Sequence, residues 1–554
     1  MLVPNSTETI AEALTARSKS EPGRLAFAVA RQGGPGRRYE EVSLAELESD
    51  VNTCVDVFAH HGIVRGTRTV VMIPPGRDFC ATVIALLKIG APPVFIDPGI
   101  GLRNVGHCIR QAQPAAFVGV RKAQIARLVL GWGRHSIRIA LTPGGDLAGR
   151  RHARPPVSDL QPCDPSSDVA AIAFTSGSTG PPKGVVLDHA NLLAQAQLAA
   201  QLLGPSTSGP HLATFPMFLL FAPILGFAAI IPDMDPSRPA AADPGKLIAA
   251  AADYRCQSMF ASPVLVRNLG AYCRDHNASI PSMERVLSAG APSHPKALAS
   301  LGAAIAPMGE IFTPYGATEA LPVSNLASRE ILGETCQKTR SGAGVCVGRV
   351  LPGITAHIIP IGEHPIEDWS EVAPLPPGEV GEIAVSGGVV SARYYQNPDA
   401  NRLAKIPFRS GNSFYHRMGD LGYFDERGRL WMCGRKSHRV VTTQRVYLTV
   451  PCEGIFNDHP EVARTALVGV PGRGRVTPVL CVELPVRKSR REKQTIAEEL
   501  RGLGSQFEQT RDIRHFLYPG SFPVDARHNS KIRREVLAVW ASKKIRLRPA
   551  GKET

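Results

Sequence analysis

A ten-residue run that follows an apolar strand constrains this chain most. Val169-Ala170-Ala171-Ile172-Ala173-Phe174 reads as a buried strand. It leads directly into Thr175-Ser176-Gly177-Ser178-Thr179-Gly180-Pro181-Pro182-Lys183-Gly184. The glycines let the backbone approach an anion closely. The hydroxyls and main-chain N–H groups suit phosphate oxygens, and Lys183 adds charge. A Walker A loop requires G-x-x-x-x-G-K-[ST]; here Pro182 precedes Lys183 and Gly184 follows it. An ordinary surface turn does not need ten such residues after a buried strand. Val185-Val186-Leu187 follows, and a helix is predicted to start near Asp188-His189-Ala190-Asn191.

The preceding residues read as repeated α/β units. Thr69–Ile73, Val94–Ile96 and Ala115–Val120 are short apolar strands, and Phe79–Ile89 is a helix stopped by Gly90 and Pro92-Pro93. Strands alternating with helices imply a parallel sheet covered on both faces. Pro155–Ser167 is a Pro/Ser/Asp-rich connector. The chain has 554 residues, too many for one core, and its 44% apolar and 20% charged content excludes a disordered chain or a fibrous rod. Leu212–Pro232 carries no formal charge and has the length of a membrane span, but Pro216, Pro223 and Gly226 interrupt it. A buried, kinked segment lining an apolar cavity is the better expectation. Near Gly434 the chain changes character, which places the main domain boundary there and gives domains 1–433 and 434–554.

Net charge is unevenly spread. From Arg435 onward there are 24 basic and 12 acidic residues, so +12 of the total +15 lies in the terminal module. A basic module suits an anionic small molecule, a membrane surface or nucleic acid, or is simply a solvated surface. Its basic runs have no interleaved aromatics, which argues against a single-strand stacking platform. The 11 cysteines show no C-x-x-C and no zinc spacing, so reduced thiols in the cytoplasm are expected. The first sixteen residues do not read as a secretory signal.

Phe174–Val185 resembles the nucleotide loop of the AMP-forming adenylate synthetases, the family of acyl-CoA synthetases, peptide-synthetase adenylation domains and luciferases. Further motifs follow in family order. Ser288-Ala289-Gly290-Ala291-Pro292 resembles the adenine-binding turn, and Thr313-Pro314-Tyr315-Gly316-Ala317-Thr318-Glu319 the next core motif. Gly348–Gly353 and Gly381-Glu382-Ile383 match the strands beyond. His416-Arg417-Met418-Gly419-Asp420-Leu421-Gly422 is similar to the ribose motif, and Gly434-Arg435-Lys436 to the hinge. The resemblance implies an α/β fold: a large multi-sheet N-terminal adenylate-forming domain and a smaller, mobile α+β C-terminal domain.

It also implies ATP and Mg²⁺ as cofactors and assigns the site. Thr175, Ser176, Gly177, Ser178, Thr179, Gly180 and Lys183 would hold phosphates. Ala289, Gly290, Ala291, Tyr315, Gly316 and Ala317 would hold adenine, with Thr318 near the phosphates. Glu319 would ligate Mg²⁺, as its carboxylate suits a hard cation. Asp420 can accept two hydrogen bonds from a ribose diol, and Arg435 can hold ribose or phosphate. Pro523–Arg534 is similar to the terminal P-x-x-x-x-G-K-x-x-R motif and aligns Lys531 with the catalytic lysine, although the spacer is longer and Ser530 replaces the glycine. Such cations stabilise the charge that develops as a carboxylate attacks the α-phosphorus.

Two departures from the family pattern bear on substrate. After the hinge, Val441 and Thr443-Gln444 stand where lysine and a glycine pair usually line a pantetheine tunnel, which argues against CoA. Where the family often has an aromatic-His pair, this chain has Phe215-Pro216-Met217-Phe218-Leu219-Leu220. Phe218, Leu220, Phe221 and Ile224 therefore suit an alkyl substrate or plain core packing. Each buried CH₂ contributes ~0.8 kcal/mol. Pro314–Ser324 and Gly333–Gly348 resemble the β-lactone synthetases of bacterial long-chain olefin biosynthesis. That resemblance implies a long-chain 2-alkyl-3-hydroxyalkanoic acid as substrate, adenylated and then closed by its own 3-hydroxyl. It implies as partners the pathway's thiolase, ketone reductase and decarboxylating hydrolase, no nucleic acid, and at most peripheral membrane contact. The base for the hydroxyl is open; His189, His211 and His416 are candidates by residue type. An acyl-CoA ligase and a catalytically idle nucleotide- or nucleic-acid-binding protein on this fold are the alternatives.

Overall fold

Short β-branched runs punctuated by Gly and Pro become short strands, and the segments between them become capped helices. Thr9 opens the helix Ile10–Ser20 with a reciprocal capping box to Glu12, and Ser43 does the same with Glu46 for Leu44–His60. Asp188 caps His189–Leu203 by accepting from the Asn191 amide at 2.7 Å. The computed structural model describes residues 9–31, 38–144, 163–164, 168–175, 181–204, 209–409, 411, 413–472, 475–524 and 532–546. The chain divides into two compact units, 1–323 with 386–402, and 324–385 with 403–554.

The first unit holds two seven-stranded sheets. One runs in the order Arg393–Tyr394, Gly184–Asp188, Val169–Phe174, Pro93–Phe95, Thr69–Met72, Ala116–Gly119, Ile139–Leu141. Its strands from Val169–Phe174 to Ile139–Leu141 pair in parallel, as the alternating pattern predicts. Gly184–Asp188 differs: it turns back antiparallel on Val169–Phe174, and Arg393–Tyr394 adds antiparallel at the edge. The other sheet runs Glu310–Phe312, Arg285–Ser288, Ser258–Ala261, His211–Ala213, Ala229–Ile231, Leu25–Arg31, Arg38–Ser43.

The uncharged stretch from Leu212 resolves into a strand, a nine-residue helix Met217–Leu225 with Pro223 inside, and the strand Ala229–Ile231. Every residue of the helix except Met217 is buried. No helix among the described residues is long and apolar enough to cross a membrane.

In the second unit, strands Val345–Val350, Leu430–Arg435, Phe414–Phe424, Gly381–Gly387 and Ile354–Ile359 lie side by side, antiparallel from Val345–Val350 to Gly381–Gly387. Beyond Arg435 a three-stranded sheet, Arg464–Pro471, Val476–Glu483 and His515–Leu517, packs with helices Thr449–Phe456, Arg490–Ser505 and Arg534–Arg546. Two hydrophobic clusters here, centred on Phe456 and Leu480 and on Val479 and Leu537, draw only on residues after Gly434. All 11 cysteines are free thiols, and burial pushes most of them up; Cys433 and Cys481 reach about 12.

Candidate active site

In the first unit the phosphate-type loop is closed at its base by backbone. The Thr175 amide donates to the Lys183 carbonyl at 3.0 Å, and Phe174 pairs with Gly184 across the antiparallel strands. The loop therefore joins two strands, which is a different setting from the strand-to-helix loop of Walker A proteins. Ser176, Gly177, Ser178, Thr179 and Gly180 lie outside the described residues.

The edge strand Arg393–Tyr394 brings a residue that sequence reasoning missed. Tyr394 pairs with Val185, and its neighbour Tyr395 donates its amide to the Gly184 carbonyl at 2.7 Å. That register lays the Tyr394 ring beneath Lys183, whose Nζ stands 5.1 Å from the ring centroid. The Tyr394 hydroxyl donates to Glu319 Oε1 at 3.0 Å, and the Ser391 amide donates to the Glu319 carbonyl at 2.8 Å. Lys183 and Glu319 thus share one aromatic ring, which holds a cation by its face and a carboxylate by its hydroxyl.

Glu319 sits with Thr318 in the turn between strands Tyr315–Ala317 and Ala320–Asn325. A Cβ on Gly316 would lie 2.5 Å from the Ala320 carbonyl oxygen, so the turn requires glycine there. Thr313 to Glu319 are all half-buried. Strand Glu310–Phe312 lies parallel to Arg285–Ser288, with Leu287 opposite Phe312. The two segments that resemble adenine-site motifs, Ala289–Ala291 and Tyr315–Ala317, therefore leave the same end of adjacent parallel strands. Ligands of open α/β sheets bind at that end. Ser288 and Ser293, 2.8 Å apart through their hydroxyls, fasten the first segment.

The apolar candidates Phe218, Leu220, Phe221 and Ile224 are all buried. Phe218 stacks on His211 with centroids 4.6 Å apart and tilts against Phe260 at 5.4 Å. His211 Nδ1 lies 2.8 Å from the Ser258 hydroxyl, and desolvation drops its pKa to about 3, which makes it a poor general base near neutrality. His189 is also fully buried and shifted down by desolvation.

The second unit supplies the ribose-type pair. Asp420, on Phe414–Phe424, is in register with Arg435 at the end of Leu430–Arg435, and Arg435 Nε stands 3.1 Å from Asp420 Oδ1. Asp420 is buried, while Arg435 is a third exposed. His416, on the same strand as Asp420, has Nδ1 3.2 Å from the Ala404 carbonyl. Nearby, Glu382 is buried between Arg417 Nη2 at 2.6 Å and Lys436 Nζ at 3.2 Å. Lys436 also donates to the Gly362 carbonyl at 2.9 Å, so the residue after Arg435 is held as well. Gly434 has φ +121°, and a Cβ there would lie 2.5 Å from Thr449 Oγ1.

Lys531 lies outside the described residues, but its flanks are held. Val524 bridges to Ile532, and the Arg533 amide donates to the Pro523 carbonyl at 2.8 Å. Arg534 forks onto buried Glu453 at 2.7 and 2.9 Å. Beyond Lys436 the chain forms the hairpin Val440–Val441 and Val446–Tyr447, whose turn is tied by the Thr442 hydroxyl donating to the Arg445 carbonyl at 2.9 Å.

A fold of this kind, with a phosphate-type loop joining two strands and motif segments at the ends of parallel strands, defines an adenylate-forming enzyme. Residues 14–395 match the family of AMP-binding enzymes, and the chain belongs to that family. It is 41% identical over 552 residues to an olefin beta-lactone synthetase of Stenotrophomonas maltophilia (strain K279a), covering 97% of this chain and 99% of that one. It is 42% identical over 545 residues to an olefin beta-lactone synthetase of Xanthomonas campestris pv. campestris, covering 96% and 97%. Among solved structures it superposes on amide bond synthetase McbA from Marinactinospora thermotolerans with a TM-score of 0.76 at 22% identity, covering 96% and 99%. The o-succinylbenzoate CoA synthetase of Bacillus subtilis, in complex with ATP and magnesium ion, gives 0.74 at 18% identity, covering 94% and 98%. At those identities the structures establish the fold.

Proposed function

We propose that the protein adenylates a long-chain 2-alkyl-3-hydroxyalkanoic acid with ATP and then closes it to a β-lactone. The observation that carries this reading is the near-full-length likeness to two olefin beta-lactone synthetases at 41% and 42% identity. The Lys183–Tyr394–Glu319 array supports the first half-reaction. The acid's carboxylate oxygen attacks the α-phosphorus, and the bond from that phosphorus to pyrophosphate breaks. Lys183 and Lys531 supply positive charge where negative charge gathers.

Glu319 suits Mg²⁺, which takes one or two carboxylates together with substrate phosphate oxygens. Its Oε1 is oriented by Tyr394, and no cluster of three or more ligating side chains occurs among the described residues, in keeping with an ion that depends on the nucleotide. When bound, the ion would neutralise phosphate charge. Asp420 suits the ribose diol as an acceptor, and the Ala289–Ala291 and Tyr315–Ala317 segments suit adenine. Phe218, Leu220, Phe221 and Ile224 form the wall of the alkyl site.

In the second half-reaction the 3-hydroxyl oxygen attacks the acyl carbon. Its proton passes to a base, the bond from acyl carbon to the phosphate oxygen breaks, and AMP leaves. The tied turn at Thr442–Arg445 supports closure without a thiol, since it stands where the family's pantetheine loop is usually glycine-rich. Intramolecular attack compensates for ring strain, with effective molarities of ~10⁵ M or more. Residues 434–554 act as a mobile domain that presents Lys531; their separate hydrophobic clusters support this division. The pathway's thiolase, ketone reductase and decarboxylating hydrolase are the partners, in the cytoplasm.

Two acids of equal chain length test the reading, one with the 3-hydroxyl and one without. The hydroxy acid should give steady AMP release and a product lighter by one water, unchanged by CoA. The deoxy acid should give at most one burst of pyrophosphate. A CoA thioester as the main product from either acid would overturn the lactone assignment in favour of an acyl-CoA ligase. No pyrophosphate exchange at all would leave the idle nucleotide-binding reading.

A further inference from the structure

We infer that the outward face of the helix Arg121–Val129 docks on an anionic lipid bilayer. This helix has no buried residue. Its small inward residues Ala123 and Ala126 pack against the cluster around Phe117. Outward it presents Ile125, Leu128 and Val129, exposed at 61%, 67% and 78%, and the next residue, Leu130, is 45% exposed. At 100° per residue, Leu128, Arg121, Ile125, Val129 and Lys122 fall within an arc of about 120°, one apolar face with two cations at its N-terminal edge.

The segment that carries this face is charged with one sign. Between Asp97 and Asp146 there is no carboxylate side chain, while Arg103, Arg110, Arg121, Lys122, Arg127, Arg134 and Arg138 supply seven cations. None of the seven forms an ion pair among the described residues. Six are exposed, and Arg127 is half-buried over the Phe117 ring at 5.7 Å. Contiguous exposed aliphatic side chains mark a docking site. Stable protein interfaces centre on aromatic anchors in pockets, and this face has none. Aliphatic residues beside Lys and Arg match a helix lying in the headgroup region of an anionic membrane. The inference is independent of which acid the enzyme activates.

The test is flotation of the full-length protein with vesicles of phosphatidylcholine alone and with phosphatidylglycerol added. The protein should float with the anionic vesicles, remain behind with the neutral ones, and release in high salt. The variant Arg121→Gln/Lys122→Gln should bind at least about tenfold more weakly. Ile125→Ser/Leu128→Ser/Val129→Ser should abolish flotation while its thermal midpoint and ATP–pyrophosphate exchange stay as in the parent. Failure of the parent to float, or variants that float as well as it does, would overturn the inference. So would a serine variant whose only change is loss of self-association in sedimentation, which would make the face a protein interface.

Discussion

The hydroxyl of Tyr394 donates to Oε1 of Glu319 at 3.0 Å across a sequence separation of 75 residues. The same ring carries the Lys183 ammonium on its face. A phenol can do both because its edge hydroxyl is polar and its π-face is negative. The carboxylate and the ammonium are thereby oriented without neutralising each other directly, and both charges remain available to a ligand.

Tyr394→Phe keeps the ring beneath Lys183 and removes the donor to Glu319. A hydrogen bond to a charged group is worth roughly 1.5–3 kcal/mol, toward the low end at a half-buried site. Pyrophosphate release should fall about tenfold, and the Mg²⁺ concentration for half-maximal rate should rise. Tyr395→Phe should change neither. A Mg²⁺ titration of both variants decides it.

Glu319→Gln retains size and removes charge. It should raise the Mg²⁺ requirement more than it changes binding of the acid. If the acid's KM rose while the Mg²⁺ dependence stayed flat, Glu319 would belong to the acyl site.

Lys531→Ala should leave the thermal midpoint near that of the parent and lower adenylation roughly 10²-fold or more, as loss of a transition-state cation does. Arg534→Met should behave in the opposite way. It strands buried Glu453, whose pKa burial already pushes up, and breaking such a pair costs about 3–5 kcal/mol. The double variant Glu453→Leu/Arg534→Met should recover much of that loss. Differential scanning calorimetry with an adenylation assay separates the two lysine-motif roles.

His211 makes acid unfolding steeper. Its folded pKa, about 3, lies below the ordinary histidine value, so between about pH 6.5 and 3 the unfolded chain binds the extra proton. Stability contributed by the neutral ring is therefore present above pH 6.5 and lost as pH falls, by up to about 1.4 kcal/mol per unit. His211→Gln, which can keep the bond to Ser258, should flatten the pH dependence of urea unfolding over that window. An unchanged slope would show that the ring becomes hydrated before unfolding.

Sequence alone was informative wherever the chemistry is local. The strands near Thr69, Val94 and Ala116 and the helix start at Asp188 depend on neighbours within a few residues. So does the family, which the match over residues 14–395 establishes. The antiparallel return of Gly184–Asp188 was not legible, because period-two alternation does not encode strand direction. Tyr394 was hidden for a related reason: only the edge pairing with Val185 brings it to Lys183 and Glu319. Leu212–Pro232 showed its burial but not its division into strand, helix and strand, since an unbroken apolar run has no period to read. The Glu453–Arg534 fork joins residues 81 apart, and nothing near either one announces the other.

The pairing of Asp420 with Arg435 occupies the last rung of an antiparallel ladder, beside a glycine at φ +121°. Asp420 is buried while Arg435 is a third exposed, so the carboxylate depends on a partner and the guanidinium can turn to water. The rung is therefore a latch that opens when another donor takes the carboxylate. A diol that donates to the carboxylate competes with the guanidinium for it, and would keep the buried charge satisfied as the guanidinium lets go. A ligand that draws Asp420 away would therefore release the Arg435 side chain alone, while Lys436 stays tied to Glu382 and Gly362.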